Sequence, residues 1–370
     1  MRDKNFLYYG ANDPDIRSLC GFAAPDPVLF LAAASAPVLL VSSMEYGRAL
    51  KESRGCAVET AATLGLPHGG LRASSAALAI AALRKHGVRQ VSVAPEFPLF
   101  IAREIEREGV KVDIETDSPA KARRLVKTEE EIAFIAASQN AARAAMRAVG
   151  KAIRGAEAGR GGILRLGAGF ADSGKILTSE RARAIVRAEL ARRNCFDADG
   201  TIIAGGIQAC DPHQAGSGPL KTGEFVVCDI FPKSLETGYW GDMTRTFFHG
   251  RIAPARKKML AAVQSAHDAV VSSLKAGVSG AAMHELAAAT LRAAGFESGH
   301  DAQGVPFGFI HGTGHGVGLE IHEEPRLSPS GGALPENAVV TIEPGLYYSE
   351  LGGVRIEDLA VVRAGSAQIL

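Results

Sequence analysis

Apolar residues recur with two different spacings along the first third of the chain. Short apolar runs at 38–42, 90–94 and 110–114 are typical of strands, whereas an alanine-rich stretch at 74–85 has the composition of a helix. Strands that alternate with helices indicate helices layered on a sheet. The pattern predicts an α/β domain over residues 1–124.

A helix start marks the beginning of a second domain. Thr128 is suited to cap a helix, and Glu131, three residues later, completes a capping box. Apolar residues then recur on one helical face, at Ile132, Ile135, Met146, Val149 and Ile153. We therefore predict a second domain over residues 125–370.

The second domain repeats an order of elements. A second helix is predicted at 179–193, followed by strand-like and turn-rich chain at 201–248. Two more helices, at 254–275 and 281–294, precede a strand-rich stretch that begins at Ile310. This order suggests the hypothesis of a duplicated unit of two helices and a sheet.

Charge and hydropathy exclude some classes of partner. Lys and Arg number 41 against 40 Asp and Glu in 370 residues, so no global basic field favours nucleic acid. The most apolar run, 28–43, is too short for a membrane span and predicts two strands joined at 34–37. The first residues lack the layout of a secretory signal, and five scattered cysteines are typical of reducing conditions. We expect a cytoplasmic protein without a nucleic-acid or membrane partner.

Acid and base side chains are dense in HGTGHGVGLEIHEEP, residues 311–325. On a helix, His311 and His315 would share a face and could bind one zinc ion. Four alternating glycines would each cost that helix about 1 kcal/mol, so we predict extended chain with close backbone approach. Both histidines would then share a strand face unless a bulge intervenes. A glycine-rich turn with solvated side chains is the alternative.

Two aspartates flank strand-like runs and could converge at the end of a hairpin. Asp229 follows the apolar run 225–228, and Asp242 precedes the run 244–248. Turn formation is a plausible alternative for Asp242, which follows a glycine. It is a weaker one for Asp229, because a buried carboxylate is unfavourable without a partner.

Two glutamates occupy positions where a core strand favours an apolar side chain. Glu343 follows the run 339–342, and Glu357 lies within an apolar stretch at 354–362. Lone glutamates in strands usually face solvent. Two of them in such apolar surroundings call for a compensating cation.

The four carboxylates and one imidazole together suggest a dinuclear metal site. Two divalent ions would balance the charge of −4 carried by Asp229, Asp242, Glu343 and Glu357, with His315 as a nitrogen donor. Oxygen-rich ligation with one imidazole suits Mn²⁺, Co²⁺ or Zn²⁺, and no cysteine is needed. Two ions about 3.5 to 4 Å apart can activate a water molecule and polarise a carbonyl together.

Four motifs resemble one enzyme family. GHGVGLEIHE, DMTRTF, TIEPGLY and GVRIED occur in the order found in the pita-bread metallopeptidases, the family of methionine aminopeptidase, Xaa-Pro aminopeptidase and prolidase. The resemblance covers residues 127–370, and the first domain is similar to the N-terminal domain of the proline-specific, creatinase-like members. It implies an α/β N-terminal domain followed by an α+β pita-bread catalytic domain.

The resemblance also implies the metal ligands. These would be Asp229, Asp242, His315, Glu343 and Glu357, with Asp242 and Glu357 bridging both ions. The cofactor would be two divalent ions of manganese, cobalt or zinc.

Further residues would handle the substrate. The resemblance implies that Glu343 assists proton transfer from the bridging water, that His322 steadies the substrate carbonyl, and that His213 and His311 line the pocket. From the residues alone, His213 is almost equally well a loop histidine. Arg355 would orient the site or pair with a substrate carboxylate.

The sequence departs from the family in the loop 230–241, which is longer than usual and lacks the small glycine-containing turn that commonly follows the first aspartate. The resemblance therefore does not predict the conformation of the hairpin tip. Tyr239 and Trp240 in this loop could cover the pocket or pack in the core, and core packing is the commoner fate of tryptophan.

The resemblance implies a hydrolase that cleaves between an N-terminal residue and a following proline by attack of a metal-bridging hydroxide. It would be an Xaa-Pro aminopeptidase or dipeptidase (prolidase), acting on peptides with proline at the second position. A homodimer formed through the N-terminal domain is expected with it. The alternatives are a metal-free enzyme on the same fold, as the creatine amidinohydrolases are, and a non-catalytic protein with a relict metal site.

Overall fold

The computed structural model of the chain describes residues 4–33, 36–66 and 74–370. Two compact units divide the chain, one over residues 1–124 and the other over residues 125–370.

The first unit is a mixed sheet with helices between its strands. Its strands are β1 (Phe6–Gly10), β2 (Val28–Ala32), β3 (Val38–Leu40), β4 (Ala57–Glu59), β5 (Gln90–Val93) and β6 (Lys111–Ile114). Its helices are α1 (Pro14–Cys20), α2 (Tyr46–Glu52), α3 (Ser75–Lys85), α4 (Leu99–Arg107) and α5 (Pro119–Leu125). The strand order is β4-β3-β2-β1-β5-β6, and β2 runs antiparallel to both neighbours.

Alternation along β1 explains why both faces of this sheet are covered. Leu7 packs in one apolar cluster, whereas Phe6 and Tyr8 pack in another. Successive side chains of a strand point to opposite faces, so a strand that is apolar throughout requires packing on both sides. The predicted α/β character is confirmed. The two strands predicted within 28–43 are also confirmed, as β2 and β3. Residues 34 and 35 of the predicted connection between them lie outside the described residues.

Four long helices frame the second unit. They are α6 (Glu129–Arg154), α7 (Ser179–Ala191), α8 (Pro254–Ser273) and α9 (Gly280–Ala293). Thr128 caps α6, and Glu131 completes the predicted capping box by accepting a hydrogen bond from the Thr128 N–H. The predicted apolar face of α6 is buried along its whole length.

Short antiparallel strands build the sheets of this unit. The strands are β7 (Glu157–Ala158), β8 (Leu164–Arg165), β9 (Cys195–Phe196), β10 (Ile202–Gly205), β11 (Phe225–Ile230), β12 (Lys233–Ser234), β13 (Met243–Phe248), β14 (Gly299–His300), β15 (Pro306–Phe307), β16 (Gly314–Gly316), β17 (Glu323–Leu327), β18 (Val339–Ile342), β19 (Gly345–Tyr348), β20 (Gly352–Arg355), β21 (Asp358–Val362) and β22 (Ala367–Ile369). The larger sheets have the orders β10-β11-β13 and β17-β16-β18-β21-β22, and β19 pairs with β20.

Each helix pair has its own core. Helices α6 and α7 pack with β11 around Val149, Val186 and Val226, whereas α8 and α9 pack with β18 and β21 around Val263, Leu291 and Val340. The predicted order of two helices followed by strands therefore occurs twice. Both cores lie behind strands that end at one cavity, so they fix the strand ends that carry the polar residues described next.

All five cysteines are free. Among the described residues, no helix is both long and apolar enough to cross a membrane.

Candidate metal centre

The register of β11 and β13 places the two aspartates. Asp229 pairs with Thr244 across the ladder, and Asp242 immediately precedes β13. The amide of Gln139 on α6 clamps Asp242, because it accepts a hydrogen bond from the Asp242 N–H at 2.8 Å and donates one to its carbonyl at 2.9 Å. Gly241 lets this segment lie close to the backbone of α6, since a Cβ there would lie 2.6 Å from the backbone nitrogen of Gln139.

Glycines on either side of His315 allow the central strand to fit. A Cβ at Gly314 would lie 2.0 Å from the Thr341 carbonyl oxygen, and one at Gly316 would lie 2.2 Å from that of Glu324. The predicted close backbone approach is therefore confirmed. His311 precedes β16, and the register of this strand shifts between His315 and Gly316, so the two histidines do not share a regular strand face and the exception for a bulge applies.

The tautomer of His315 follows from the backbone carbonyl of the next residue, Gly316. Nδ1 lies 3.1 Å from the Gly316 carbonyl, which can only accept, so Nδ1 carries the proton. The lone pair of Nε2 then faces carboxylate oxygens, 3.3 Å from Glu343 Oε1 and 3.7 Å from Asp242 Oδ2. An acceptor that faces acceptors is unfavourable unless a metal ion, or a proton on one of the carboxyl groups, lies between them.

The two glutamates lie in breaks between strands. Glu343 separates β18 from β19, and Glu357 lies between β20 and β21, so neither occupies the strand interior that the apolar runs indicate. Each is held by a threonine instead. Thr341 donates to Glu343 Oε1 at 3.2 Å, and Thr244 donates to Glu357 Oε2 at 2.6 Å.

Ligand atoms of three residues converge. Donor atoms of Asp242, His315 and Glu357 all lie within 4.8 Å of one another, and all three residues are buried. Asp229 is beside them: its Oδ2 accepts a hydrogen bond from Arg355 at 2.6 Å. Its buried Oδ1 has no hydrogen-bond partner among the described residues.

Crowded carboxylates perturb the acidity of the site. Burial, together with the charges of neighbouring carboxylates, raises the pKa of both Asp242 and Glu357 well above the usual range. Burial also raises the pKa of Glu343 to about 7 and lowers that of His315 to about 3. The donor set therefore fits divalent metal, because only a cation would favour all these groups in the forms that ligate.

Arg355, Tyr347 and His311 form a second network on the wall of the cavity. Arg355 donates to Tyr347 Oη at 2.8 Å, and Tyr347 Oη lies 2.8 Å from His311 Nε2. Nδ1 of His311 donates to the Gly312 carbonyl at 2.7 Å, so Nε2 accepts from the tyrosine. Burial lowers the pKa of His311 to about 3 and keeps its ring neutral.

The register of β19 and β20 explains this network. Arg355 lies opposite Gly345, and Tyr347 is two residues further along β19 on the same face. A Cβ at Gly345 would lie 2.6 Å from the Tyr347 hydroxyl, so the glycine leaves room for that side chain.

One cavity of about 640 Å³ collects every residue that the sequence analysis proposes as a metal ligand or as a substrate-handling residue. Its lining includes Asp229, Asp242, His315, Glu343, Glu357, His213, His311, His322 and Arg355. The ring of His322 lies 4.3 Å from that of His315. His213 is exposed on the loop after the 3-10 turn at Gly206–Cys210, but it still reaches the lining.

Tyr239 and Trp240 pack in the core. Both are buried beside Ile132 and Leu319, and neither lines the cavity. Tyr239 donates to Glu131 at 2.7 Å, and the Trp240 indole donates to the Leu319 carbonyl at 3.1 Å. The alternative that they cover the pocket is therefore wrong.

The sequence did not single out several residues of the site. Thr244, Thr341 and Tyr347 hold the predicted residues, and Arg326 adds a further cation to the cavity lining. All three lie within a quoted motif. Thr341 is two residues from its partner Glu343, whereas the partners of Thr244 and Tyr347 are at least eight residues distant. Arg326 has no comparable signal.

Comparison with known proteins places this geometry in a family. Residues 133–364 match the model of metallopeptidase family M24. The chain belongs to this family. The M24 chain is 37% identical to a putative Xaa-Pro aminopeptidase of Mycoplasma pneumoniae over 46% of each chain, so this match spans about half of the relative. It is 31% identical to an Xaa-Pro dipeptidase of Pyrococcus furiosus, over 72% of this chain and 68% of the relative.

Solved structures share the fold of the M24 chain. A prolidase from Pyrococcus horikoshii superimposes with a TM-score of 0.78 at 24% identity, covering 99% of this chain and 93% of that one. An X-Pro aminopeptidase from Thermotoga maritima also gives 0.78, at 22% identity, covering 99% and 95%. The predicted fold class, an α/β domain with a pita-bread domain, is confirmed.

Family membership implies a divalent-metal cofactor. The cluster of Asp242, His315 and Glu357 is where the M24 chain brings metal-ligating atoms together.

Proposed function

We propose that the M24 chain is a metal-dependent hydrolase that cleaves between an N-terminal residue and a following proline, as an Xaa-Pro aminopeptidase or dipeptidase. The observation that carries the proposal is the lone pair of His315 Nε2, which faces the carboxylates of Asp242 and Glu343. The names of the Pyrococcus furiosus and Mycoplasma pneumoniae relatives support proline-specific chemistry.

The residues that would hold two divalent ions are Asp229, Asp242, His315, Glu343 and Glu357. Ions of manganese, cobalt or zinc would supply an activated water and a positive centre for the scissile carbonyl oxygen. The unpartnered Oδ1 of Asp229 supports its place in this set.

Glu343 is the proposed proton carrier. In the metal-free cavity, burial raises the pKa of Glu343 to about 7, so this carboxyl can hold a proton near neutral pH. We propose that it accepts a proton from water and donates it to the leaving imino nitrogen. Thr341 holds its Oε1, which leaves Oε2 for this exchange.

The remaining residues bind and orient the substrate. His322, next to His315, would donate a hydrogen bond to the carbonyl oxygen as negative charge develops. Both ring nitrogens of neutral His311 already make hydrogen bonds, so this ring would form a wall of the pocket. His213, which also lines the cavity, would form part of the same wall. Arg355 would orient Asp229 through their 2.6 Å contact.

The test is release of the first residue from an Xaa-Pro dipeptide and from a tripeptide that begins Xaa-Pro. Protein stripped of metal is compared with protein supplied with Mn²⁺, Co²⁺ or Zn²⁺, and Xaa-Ala peptides serve as controls. Metal-dependent cleavage of both substrates establishes an aminopeptidase, and cleavage of the dipeptide alone establishes a dipeptidase. Bound metal with no cleavage of either would favour the relict-site alternative, and cleavage without metal would favour the metal-free one.

Glu343→Gln tests the proton carrier. We expect metal binding to persist, although weakened, and turnover to fall at least about a thousandfold, because the amide cannot accept the proton. Glu350→Gln, on the exposed turn between β19 and β20, is the matched control and should keep full activity. Full activity in Glu343→Gln would remove this residue from the chemistry.

The proposal includes three further points about the working protein: manganese as the metal, assembly as a homodimer through the N-terminal unit, and location in the cytoplasm. Metal analysis of protein purified without chelator tests the first. Mass measurement by light scattering, before and after removal of residues 1–124, tests the second, and cell fractionation tests the third.

A further inference from the structure

Glu357 lies on a segment that no sheet ladder holds. Residues 356 and 357 separate β20 from β21, so their backbone groups lack regular strand partners. The neighbouring strand β13 provides the contacts instead. The Thr244 carbonyl accepts the Glu357 N–H at 3.0 Å, and the Thr244 hydroxyl donates to Glu357 Oε2 at 2.6 Å.

Arg245 joins this segment to β13 from the other side. One terminal nitrogen of its guanidinium donates to the Thr244 carbonyl at 2.9 Å and to the Glu357 carbonyl at 2.5 Å. The other donates to Asp358 Oδ1 at 2.7 Å. A planar guanidinium can bridge two carbonyls and a carboxylate in fixed geometry, which an ammonium group cannot do.

Helix α8 places His267 against Asp358, the carboxylate that accepts a hydrogen bond from Arg245. Nε2 of His267 lies 3.2 Å from Asp358 Oδ2, so arginine and histidine approach different oxygens of Asp358. His267 and Asp358 are buried, whereas the Arg245 side chain is 30% exposed. None of these three side chains lines the cavity.

We propose that Arg245, Asp358 and His267 form a positioning cluster that sets Glu357 for metal binding. The inference rests on the proposed function, in which Glu357 would be a metal ligand. Groups that orient a ligand commonly change metal affinity 10- to 100-fold when they are replaced. The residues proposed to contact substrate are His213, His311 and His322, so we expect the cluster to control metal affinity rather than substrate binding.

A purely structural brace would behave differently. It would lower the stability of the fold without changing the affinity of the folded protein for metal. Arg363 provides the comparison, because its side chain is 27% exposed and its guanidinium also bonds a carboxylate, that of Glu129, and the amide oxygen of Asn337. It follows the other end of β21, away from the cavity lining.

The experiment measures the Mn²⁺ dissociation constant of the full chain by calorimetry, and the melting temperature without metal. We expect Arg245→Gln to weaken Mn²⁺ binding 10- to 100-fold and Arg363→Gln to change it less than twofold, with similar losses in melting temperature. At saturating Mn²⁺, the KM of Arg245→Gln for an Xaa-Pro dipeptide should stay within about threefold of wild type.

His267→Gln keeps the test decisive if Arg245→Gln does not fold. It removes the approach of Nε2 to Asp358 and the contact of Nδ1 with the exposed Asp268, but it leaves Arg245 in place, so we expect Mn²⁺ binding to weaken threefold to tenfold. If the wild-type protein binds Mn²⁺, and Arg245→Gln and His267→Gln bind it as tightly as Arg363→Gln does, the inference is overturned while the proposed function stands. A wild-type protein that binds no Mn²⁺ overturns the proposed function as well.

Discussion

The hydroxyl of Tyr347 is a single atom on which two parts of the site depend. It accepts from Arg355 and donates to His311, each at 2.8 Å, and the residue is almost fully buried. Tyr347→Phe deletes this oxygen and preserves the ring. The variant therefore separates the hydrogen bonds from the packing.

The expected cost follows from what the deletion leaves behind. His311 Nε2 loses its donor and Arg355 loses one of three anchors, the others being Asp229 and the Thr244 hydroxyl. A buried polar group without a partner costs about 1 to 3 kcal/mol. Both groups line the cavity, where water can replace the hydroxyl, so we expect the lower end for each, about 2 kcal/mol together.

The assay is thermal unfolding of the metal-free protein, followed by Xaa-Pro dipeptide hydrolysis with metal restored. A loss of about 2 kcal/mol corresponds to a fall of roughly 4 to 8 °C in the unfolding temperature of a unit of this size. We also expect kcat/KM to fall about tenfold, because Arg355 is less firmly held against Asp229.

Tyr348→Phe is the control for this variant. The neighbouring tyrosine donates one hydrogen bond, to the Glu297 carbonyl, in a solvent-exposed setting. Its loss should cost about 0.5 kcal/mol and leave kcat/KM unchanged. Equal unfolding temperatures and activities for the two variants would refute the bridging role of the Tyr347 hydroxyl.

Two further predictions concern the packing and the acidity of the site. Gly314→Ala would bring a Cβ to 2.0 Å from the Thr341 carbonyl oxygen, so we expect urea unfolding to show a free energy of unfolding lower by about 3 kcal/mol. Gly332→Ala is the control and should be nearly neutral, because its Cβ would meet no atom within 4 Å. The folded-state pKa of Glu343, about 7, lies above its ordinary value of 4.5, so its ionisation disfavours the metal-free fold fully above pH 7 and not at all below about pH 4.5. Binding must displace this proton at lower pH. A group with a pKa of about 7 is about half ionised at pH 7 and about a tenth ionised at pH 6, so we expect calorimetry to show that Glu343 lowers Mn²⁺ affinity about fivefold from pH 7 to 6 and about twofold from pH 8 to 7. An affinity that does not vary with pH would contradict the raised pKa.

Local signals predicted the elements, because each signal acts within a few residues. The capping box of Thr128 and Glu131 starts α6 where the sequence places it. The alternating glycines around His315 predicted extended chain, and the structure gives the reason in the close carbonyls of Thr341 and Glu324.

Register between distant segments could not be predicted in this way. Glu343 follows an apolar run and Glu357 lies inside one, but whether such a residue continues the strand or leaves it depends on which strands pair alongside. The clamp of Gln139 on Asp242 joins residues 103 apart and has no local pattern at all. The sequence therefore predicted which residue types meet, and the structure supplied the threonine and amide groups that hold them.

Arg355 changes the charge argument that the sequence suggests. Four carboxylates balance two divalent ions by count, yet a buried guanidinium pairs with Asp229 and adds one positive charge. Without metal, that pairing and the raised pKa values of Asp242, Glu343 and Glu357 reduce the repulsion that the cavity would otherwise contain. The fold can therefore keep its ligands together before metal arrives. Since Arg355 engages only Oδ2 of Asp229, the other oxygen stays available to a metal ion, and the arginine need not leave when one binds.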